Sequence, residues 1–317
     1  MTNDSPTGRV AVVLMAYGTP RTPEEIEPYY TDIRRGRPPT PEALADLTAR
    51  YAAIGGVSPL AQLTEAQARA LQVALDTAEP ERFSVALGLK HAEPKVENTA
   101  RRVAASGASS VVGLVLAPHY SSYSIGQYLD RLRQGVVESG ADIPVDGVES
   151  WATEPAFVDF LADDLASRVT SMREHTGGRV RVLFTAHSLP QRIIDGGDPY
   201  PDELRSTAEA VAARVGLVEG DDWQLAWQSA GRTPEPWIGP DILEVIDQMG
   251  QTGDVAGVIV SACGFVADHL EVLYDLDIEA AARATANGLA FDRTACVNDD
   301  PAVIAALADR VREVADR

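Results

Sequence analysis

Four short apolar runs constrain this chain more than any other feature. VAVVLMA (10–16), VVGLVLA (111–117), VRVLFTA (180–186) and VAGVIVSA (255–262) are short, continuous stretches rich in β-branched residues, and each ends at a small or turn-forming residue. A strand facing water on one side would alternate polar and apolar residues, so such runs read as parallel strands covered on both faces. Helical patterns separate them: PEALADLTARYAAI, LTEAQARALQVALDTA and VENTARRVAASG in the first half, then PAFVDFLADDLASRVTSMRE, PDELRSTAEAVAARVG and GPDILEVIDQMGQTG in the second. Each opens with Pro or Thr near its first turn, and three run into Gly after the last periodic residue. The chain is therefore of alternating α/β type.

The halves rhyme. VVLMAYGTP and RVLFTAHSLP both place an aromatic or imidazole residue before a small-residue turn and a proline, and VVGLVLAPHYSSYS matches VAGVIVSACGFVADH in placing a polar loop after a strand. A duplicated α/β unit explains this, with a junction near residues 148–155. Its 317 residues, 45% of them apolar, suffice for two cores. The expected division is an N-terminal domain over 1–152, a second over 153–299, and a last helix, 300–317, packing back on the first. Doubly wound sheets bind ligands outside the carboxyl ends of their strands, so the loops just named are expected to converge on one cleft between domains.

Charge narrows the partners. With 47 acidic against 27 basic side chains the formal charge is −20, which repels a phosphate backbone or an anionic bilayer and argues against nucleic acid. No apolar run reaches the length of a spanning helix, the N-terminus has no basic-then-apolar leader, and two cysteines make no disulfide scaffold; a cytoplasmic, soluble protein is expected. CxxC, HExxH, GxGxxG and GxxxxGK are absent, which argues against a caged zinc and against a nucleotide enzyme.

Two clusters carry chemistry. In FVADHLEVLYDLDIEAAARA, Glu271, Asp275 and Glu279 recur every four residues; on a helix each step drifts only about 40°, so three carboxylates line one ridge, a ladder for a cation. Asp268 reads as an acidic helix start, which the macrodipole favours. His187, in LFTAHSLP, ends a buried strand. An imidazole there can ligate a transition metal, take up a proton, or cap the strand by hydrogen bonding. One imidazole with one carboxylate fits an ion that visits and leaves. In the first half, Arg34, Arg35, Arg37 and Arg50 stand with Tyr29, Tyr30 and Tyr51, a pattern that suits either a flat anionic ligand or a solvated basic patch; Tyr17, at the end of the first strand, favours the ligand.

VLMAYGTP, YYTDIRRGRPPTPE, RYAAIGGVSPLAQLTE, GLKHAEP, LAPHYSSYSIGQY, TAHSLP, GDPYPDEL, WQSAGRTPEPWIGPDI and GFVADHLEVLYDLDIE together resemble the ferrochelatase family, most of all its bacterial coproporphyrin III branch, over nearly the whole chain. The resemblance implies two similar doubly wound, Rossmann-like domains of chelatase type, with four-stranded parallel sheets flanked by helices and a cleft between them. It implies insertion of Fe²⁺ into coproporphyrin III in haem biosynthesis. His187 and Glu271 would then bind the ion or accept pyrrole protons. Asp275 and Glu279 would continue the acidic ridge on a helix widened to a π-turn, and such a bulge removes the angular drift. Tyr17 would approach the metal from the opposite face and serve as axial ligand in the product, while Arg34, Arg50, Tyr51, Ser58 and Tyr128 would contact the macrocycle or its propionates.

Some relatives hold a [2Fe–2S] cluster on four cysteines; Cys263 and Cys296 alone cannot supply that ligation, so no permanently bound cofactor is expected. A monomer without a membrane anchor that meets a downstream haem-pathway enzyme completes the expectation. The alternatives are a ferrochelatase acting on protoporphyrin IX, a chelatase for another tetrapyrrole or ion such as cobalt with sirohydrochlorin, a non-catalytic tetrapyrrole-binding protein, and a two-lobed solute binder.

Overall fold

The computed structural model describes residues 8–231 and 233–317. The chain forms two compact units, one of residues up to 117, 122–151 and 298–317, the other of 118–121 and 152–297.

In the first unit, strands β1 (Val10–Ala16), β2 (Phe83–Leu89), β3 (Ser110–Val115) and β4 (Val145–Val148) make a parallel sheet in the order β2-β1-β3-β4. Every residue of β1 is buried, as a central strand covered on both faces must be. Helices α1 (Ile26–Ile33), α2 (Pro41–Ala53), α3 (Leu60–Ala78), α4 (Val96–Ala105) and α5 (Gln127–Glu138) supply the cover. Thr40 caps α2 by accepting from Ala43 N at 3.3 Å, with Pro41 in the first turn where its missing N–H costs nothing.

The second unit repeats the order. Strands β5 (Val180–His187), β6 (Trp223–Gln228), β7 (Gly257–Ser261) and β8 (Ala290–Arg293) lie as β6-β5-β7-β8, all parallel. Helix α6 (Pro155–Thr176) precedes β5, and α7 (Gln191–Asp195), α8 (Tyr200–Val215), α9 (Ile242–Thr252), α10 (Leu270–Leu273) and α11 (Ala281–Ala286) lie between successive strands. Gly177 ends α6 at φ 63°, the left-handed conformation that a residue without Cβ adopts freely. The core joins Leu183, Val258 and Val260 of the sheet to Ile246 of α9 and to Leu276, Ala280 and Ala284 beyond α10. The last helix, α12 (Pro301–Ala315), is capped by Asp300 and packs on α3, β3 and β4 of the first unit.

Each unit also contains a π-helical stretch: Ser122–Gly126 before α5, and Asp275–Ala280 between α10 and α11. In the latter Glu279 N donates to Tyr274 O at 2.9 Å, a five-residue step. One correction concerns the start of this helix. It begins at Leu270 with His269 as its cap, so Asp268 lies outside it and offsets no first turn; its partner is Arg293, at 3.1 Å.

Candidate active site

The second unit brings His187 and Glu271 together. His187 is the last residue of β5 and Glu271 lies in the first turn of α10, and His187 Nε2 stands 3.6 Å from Glu271 Oε2, with each side chain about one-third exposed (36% and 33%). The other ring nitrogen settles the tautomer. Nδ1 lies 2.5 Å from Ser188 O, and a carbonyl only accepts, so Nδ1 carries the proton. Nε2 is thereby the ring nitrogen left facing the carboxylate, where it can meet a cation or a proton.

Several buried groups hold this geometry. Gln228, at the end of β6 and 1% exposed, accepts from Thr185 Oγ1 at 3.0 Å and donates to Glu271 O at 2.9 Å, which couples the strand bearing the imidazole to the helix bearing the carboxylate. Ser188 N donates to Gln228 O at 2.8 Å, and Tyr200 Oη to His187 O at 3.1 Å. Gly264 passes so close to β5 that an added Cβ would lie 2.6 Å from Ala186 Cα, so any larger residue would displace the strand end next to His187. Burial pushes the Tyr200 phenol up, keeping it a neutral donor.

Further along, Asp275 is buried and accepts from Ser229 Oγ at 2.5 Å, while Glu279 is exposed. The ridge thus runs from a half-buried through a buried to an exposed carboxylate. Ser229 holds this contact from a left-handed backbone, φ 59°. Among the described residues no group of three or more His, Cys, Asp or Glu side chains is placed to hold a metal ion together. Cys263 and Cys296 are both buried free thiols, and burial pushes the Cys263 thiol up to about 12. Neither presents a thiolate at neutral pH.

In the first unit the expected residues divide. Tyr17 follows β1 and is 41% exposed, its ring 4.6 Å from that of His91. His91 Nδ1 donates to Asp32 Oδ2 at 2.7 Å, and Lys95 pairs with the same carboxylate. Burial lowers the His91 imidazole to about 4, more than Asp32 raises it, so the ring is neutral at pH 7. Tyr128 lies under Lys90, whose Nζ is 5.1 Å from the ring centroid. Burial, then Arg131 and Arg35, lower that ammonium to about 8. Arg34 is exposed at the end of α1, donating to Arg37 O at 3.3 Å with its guanidinium 5.7 Å from the Tyr30 ring, and Arg50 is half-buried beside Asp46 at 3.3 Å. Tyr51 is buried with its hydroxyl 3.3 Å from Thr19 Oγ1, and Ser58 accepts from Leu60 N at the start of α3.

Sequence reasoning missed Gln228, Ser229, Tyr200 and His91 as parts of these sites. His91 lies two residues past β2, an edge strand that the sequence did not reveal, so its place beside Tyr17 left no signal. Gln228 had none, because its value lies in partners 43 residues away on either side.

Comparison with known proteins agrees with the fold and specifies the chemistry. The family model described as Ferrochelatase matches residues 9–315. A ferrochelatase of Herpetosiphon aurantiacus is 41% identical over 298 residues, covering 94% of this chain and 96% of the relative. A coproporphyrin III ferrochelatase of Geobacillus thermodenitrificans is 42% identical over 300 residues, 94% of each chain. Another, of Halalkalibacterium halodurans, is 41% identical over 306 residues, 96% of this chain and 97% of the relative. Among solved structures, the sirohydrochlorin chelatase SirB from Bacillus subtilis subspecies spizizenii, in complex with cobalt, superposes with TM-score 0.57 at 11% identity, covering 97% of this chain and 95% of that one; this likeness concerns fold alone.

Proposed function

The chain belongs to the ferrochelatase family, enzymes that insert metal into a porphyrin, and from that premise we propose that its substrates are coproporphyrin III and Fe²⁺ and its product Fe-coproporphyrin III. The approach of His187 Nε2 to Glu271 Oε2 carries the reading. Insertion replaces two pyrrole N–H protons by one Fe²⁺, so two protons must leave as the metal enters. His187 accepts one at Nε2, and the imidazolium formed keeps Nδ1–H on Ser188 O. Glu271 accepts the other. Both groups are partly open to water, which then carries the protons away. The same two atoms suit the incoming ion: with metal–donor distances of about 2.1 Å, as for zinc, donors this far apart subtend roughly 120° at the metal. Two ligands hold an ion without trapping it, and Asp275 and Glu279 offer the oxygen donors over which a hydrated Fe²⁺ sheds its waters.

Tyr17, Arg34, Arg50, Tyr51, Ser58 and Tyr128 are proposed to contact the macrocycle, the guanidinium groups pairing with its four propionates and Tyr17 serving as axial ligand in the product. No resident cluster belongs to this scheme. The relatives named coproporphyrin III ferrochelatases support the choice of tetrapyrrole. Anaerobic Fe²⁺ insertion, followed optically with coproporphyrin III and protoporphyrin IX side by side, tests it. Faster turnover of coproporphyrin III is expected. Equal rates, or a preference for protoporphyrin IX, would remove that substrate, and binding without insertion would reduce the protein to a tetrapyrrole carrier.

A further inference from the structure

The carboxylates of the proposed site stand on a stretch of chain that needs holding. A π-turn is rare and is seldom sustained by local preference. Here it serves a purpose: on an α-helix the carboxylates at 271, 275 and 279 would drift about 40° per step, and the widened turn at Asp275–Ala280 offsets that drift. Leu276 and Ala280 hold the inner side by burial. The outer side is held by a residue for which no role has been described.

Arg293 is the last residue of β8, registered opposite Val260 of β7, and its side chain is only 16% exposed. Its guanidinium grips Asp277, in the middle of the π-helical stretch, with Nε to Oδ1 at 2.6 Å and Nη2 to Oδ2 at 3.0 Å. Nη2 also reaches Asp268 at 3.1 Å, three residues before Glu271, and Nη1 donates to Thr294 O at 3.1 Å. One planar fork anchored on a strand therefore ties down the chain on both sides of Glu271. Five carboxylates, Asp268, Glu271, Asp275, Asp277 and Glu279, lie within twelve residues, and their mutual repulsion would open this segment unless countered. We propose that Arg293 is a positioning residue for metal insertion, clamping the segment that carries Glu271, Asp275 and Glu279 in its widened turn. Arg293 touches none of those three side chains in the contacts it makes; it acts through Asp268 and Asp277. A lysine would keep the charge but lose the fork.

The inference rests on the proposed metal insertion, and its test separates the two. Hydrogen exchange is followed by mass spectrometry on peptides covering 268–282 in the wild type, Arg293→Gln and Arg293→Lys, and each protein is assayed for Fe²⁺ insertion and for coproporphyrin III binding by fluorescence quenching. The expected result for Arg293→Gln is at least tenfold faster exchange confined to 271–280, a tenfold higher KM for Fe²⁺, and porphyrin binding within twofold of wild type, with Arg293→Lys between. Unchanged exchange, or unchanged KM for Fe²⁺ in a folded variant, overturns the clamp. So does a loss spread evenly over all peptides and both substrates, which marks a merely structural residue. Exchange is read without substrate, so a wild type that inserts no iron overturns the functional reading while the clamp is still judged by its peptides.

Discussion

Replacing Gln228 by Leu tests how the imidazole and the carboxylate are kept in register. The side chain is 1% exposed and makes two hydrogen bonds, a buried one accepted from Thr185 Oγ1 and a partly buried one donated to Glu271 O. Leucine fills a similar volume but makes neither, which strands a hydroxyl on a residue that is itself 0% exposed and weakens the tie to the helix start. A buried polar group left without its partner costs about 1–3 kcal/mol, and the two together should lower unfolding free energy by about 2–4 kcal/mol, measured by urea denaturation. The effect on turnover follows from geometry rather than stability. A shift of about 1 Å in a catalytic group can cost up to a hundredfold, so kcat for Fe²⁺ insertion should fall by between ten- and a hundredfold under conditions where the variant stays folded. Coproporphyrin III binding should persist. A variant that loses stability but keeps full kcat would show that Gln228 is a packing residue only, and one that loses neither would refute the hydrogen-bond network.

Two further outcomes can be checked readily. Burial depresses the buried imidazole of His119 to about 3 and that of His91 to about 4, so in the folded chain both rings stay neutral where the unfolded chain, near 6.5, already binds protons; stability is then complete above about pH 6.5 and is lost as pH falls toward 4. Urea midpoints at pH 7 and pH 5 should differ in that sense, and His119→Gln, whose site accepts a donor to Thr207 Oγ1, should flatten the difference; a midpoint that rises on acidification contradicts the assignment. Cys263 and Cys296 should both resist a thiol reagent at pH 8 in the native protein and both react in denaturant, and rapid native labelling of either would contradict their burial.

How much of this was legible in the sequence follows from burial. The four runs that read as strands are β1, β3, β5 and β7, the two central strands of each sheet, which are covered on both faces and so are mostly apolar and buried. The strands that did not read as such, β2, β4, β6 and β8, stand at the edges, where partial exposure admits Asp146 and Gly147 in one, Gln224 in another, and Asp292 and Arg293 in a third. The identical strand order of the two sheets accounts for the rhyme between the halves. His187 and Glu271 were legible because one closes a legible strand and the other begins a periodic row of acids. The π-turn at Asp275–Ala280 was expected only through family resemblance, and that at Ser122–Gly126 was not expected at all, since a single widened turn leaves no periodic mark in so short a stretch. The clamp at Arg293 was equally invisible, because it joins residues 16 and 25 positions apart through an edge strand that sequence alone did not reveal.

The central claim is that His187 and Glu271 work as one unit on the entering metal. A double-variant cycle tests it directly: kcat/KM for Fe²⁺ insertion into coproporphyrin III is measured for the wild type, His187→Ala, Glu271→Gln and the double variant. Each single change should cost about 10²–10⁴-fold, the range for a positioned acid–base group. The double variant should be little worse than the weaker single one, since groups acting together are not additive. Losses that multiply, or a single variant with wild-type turnover, would contradict the account.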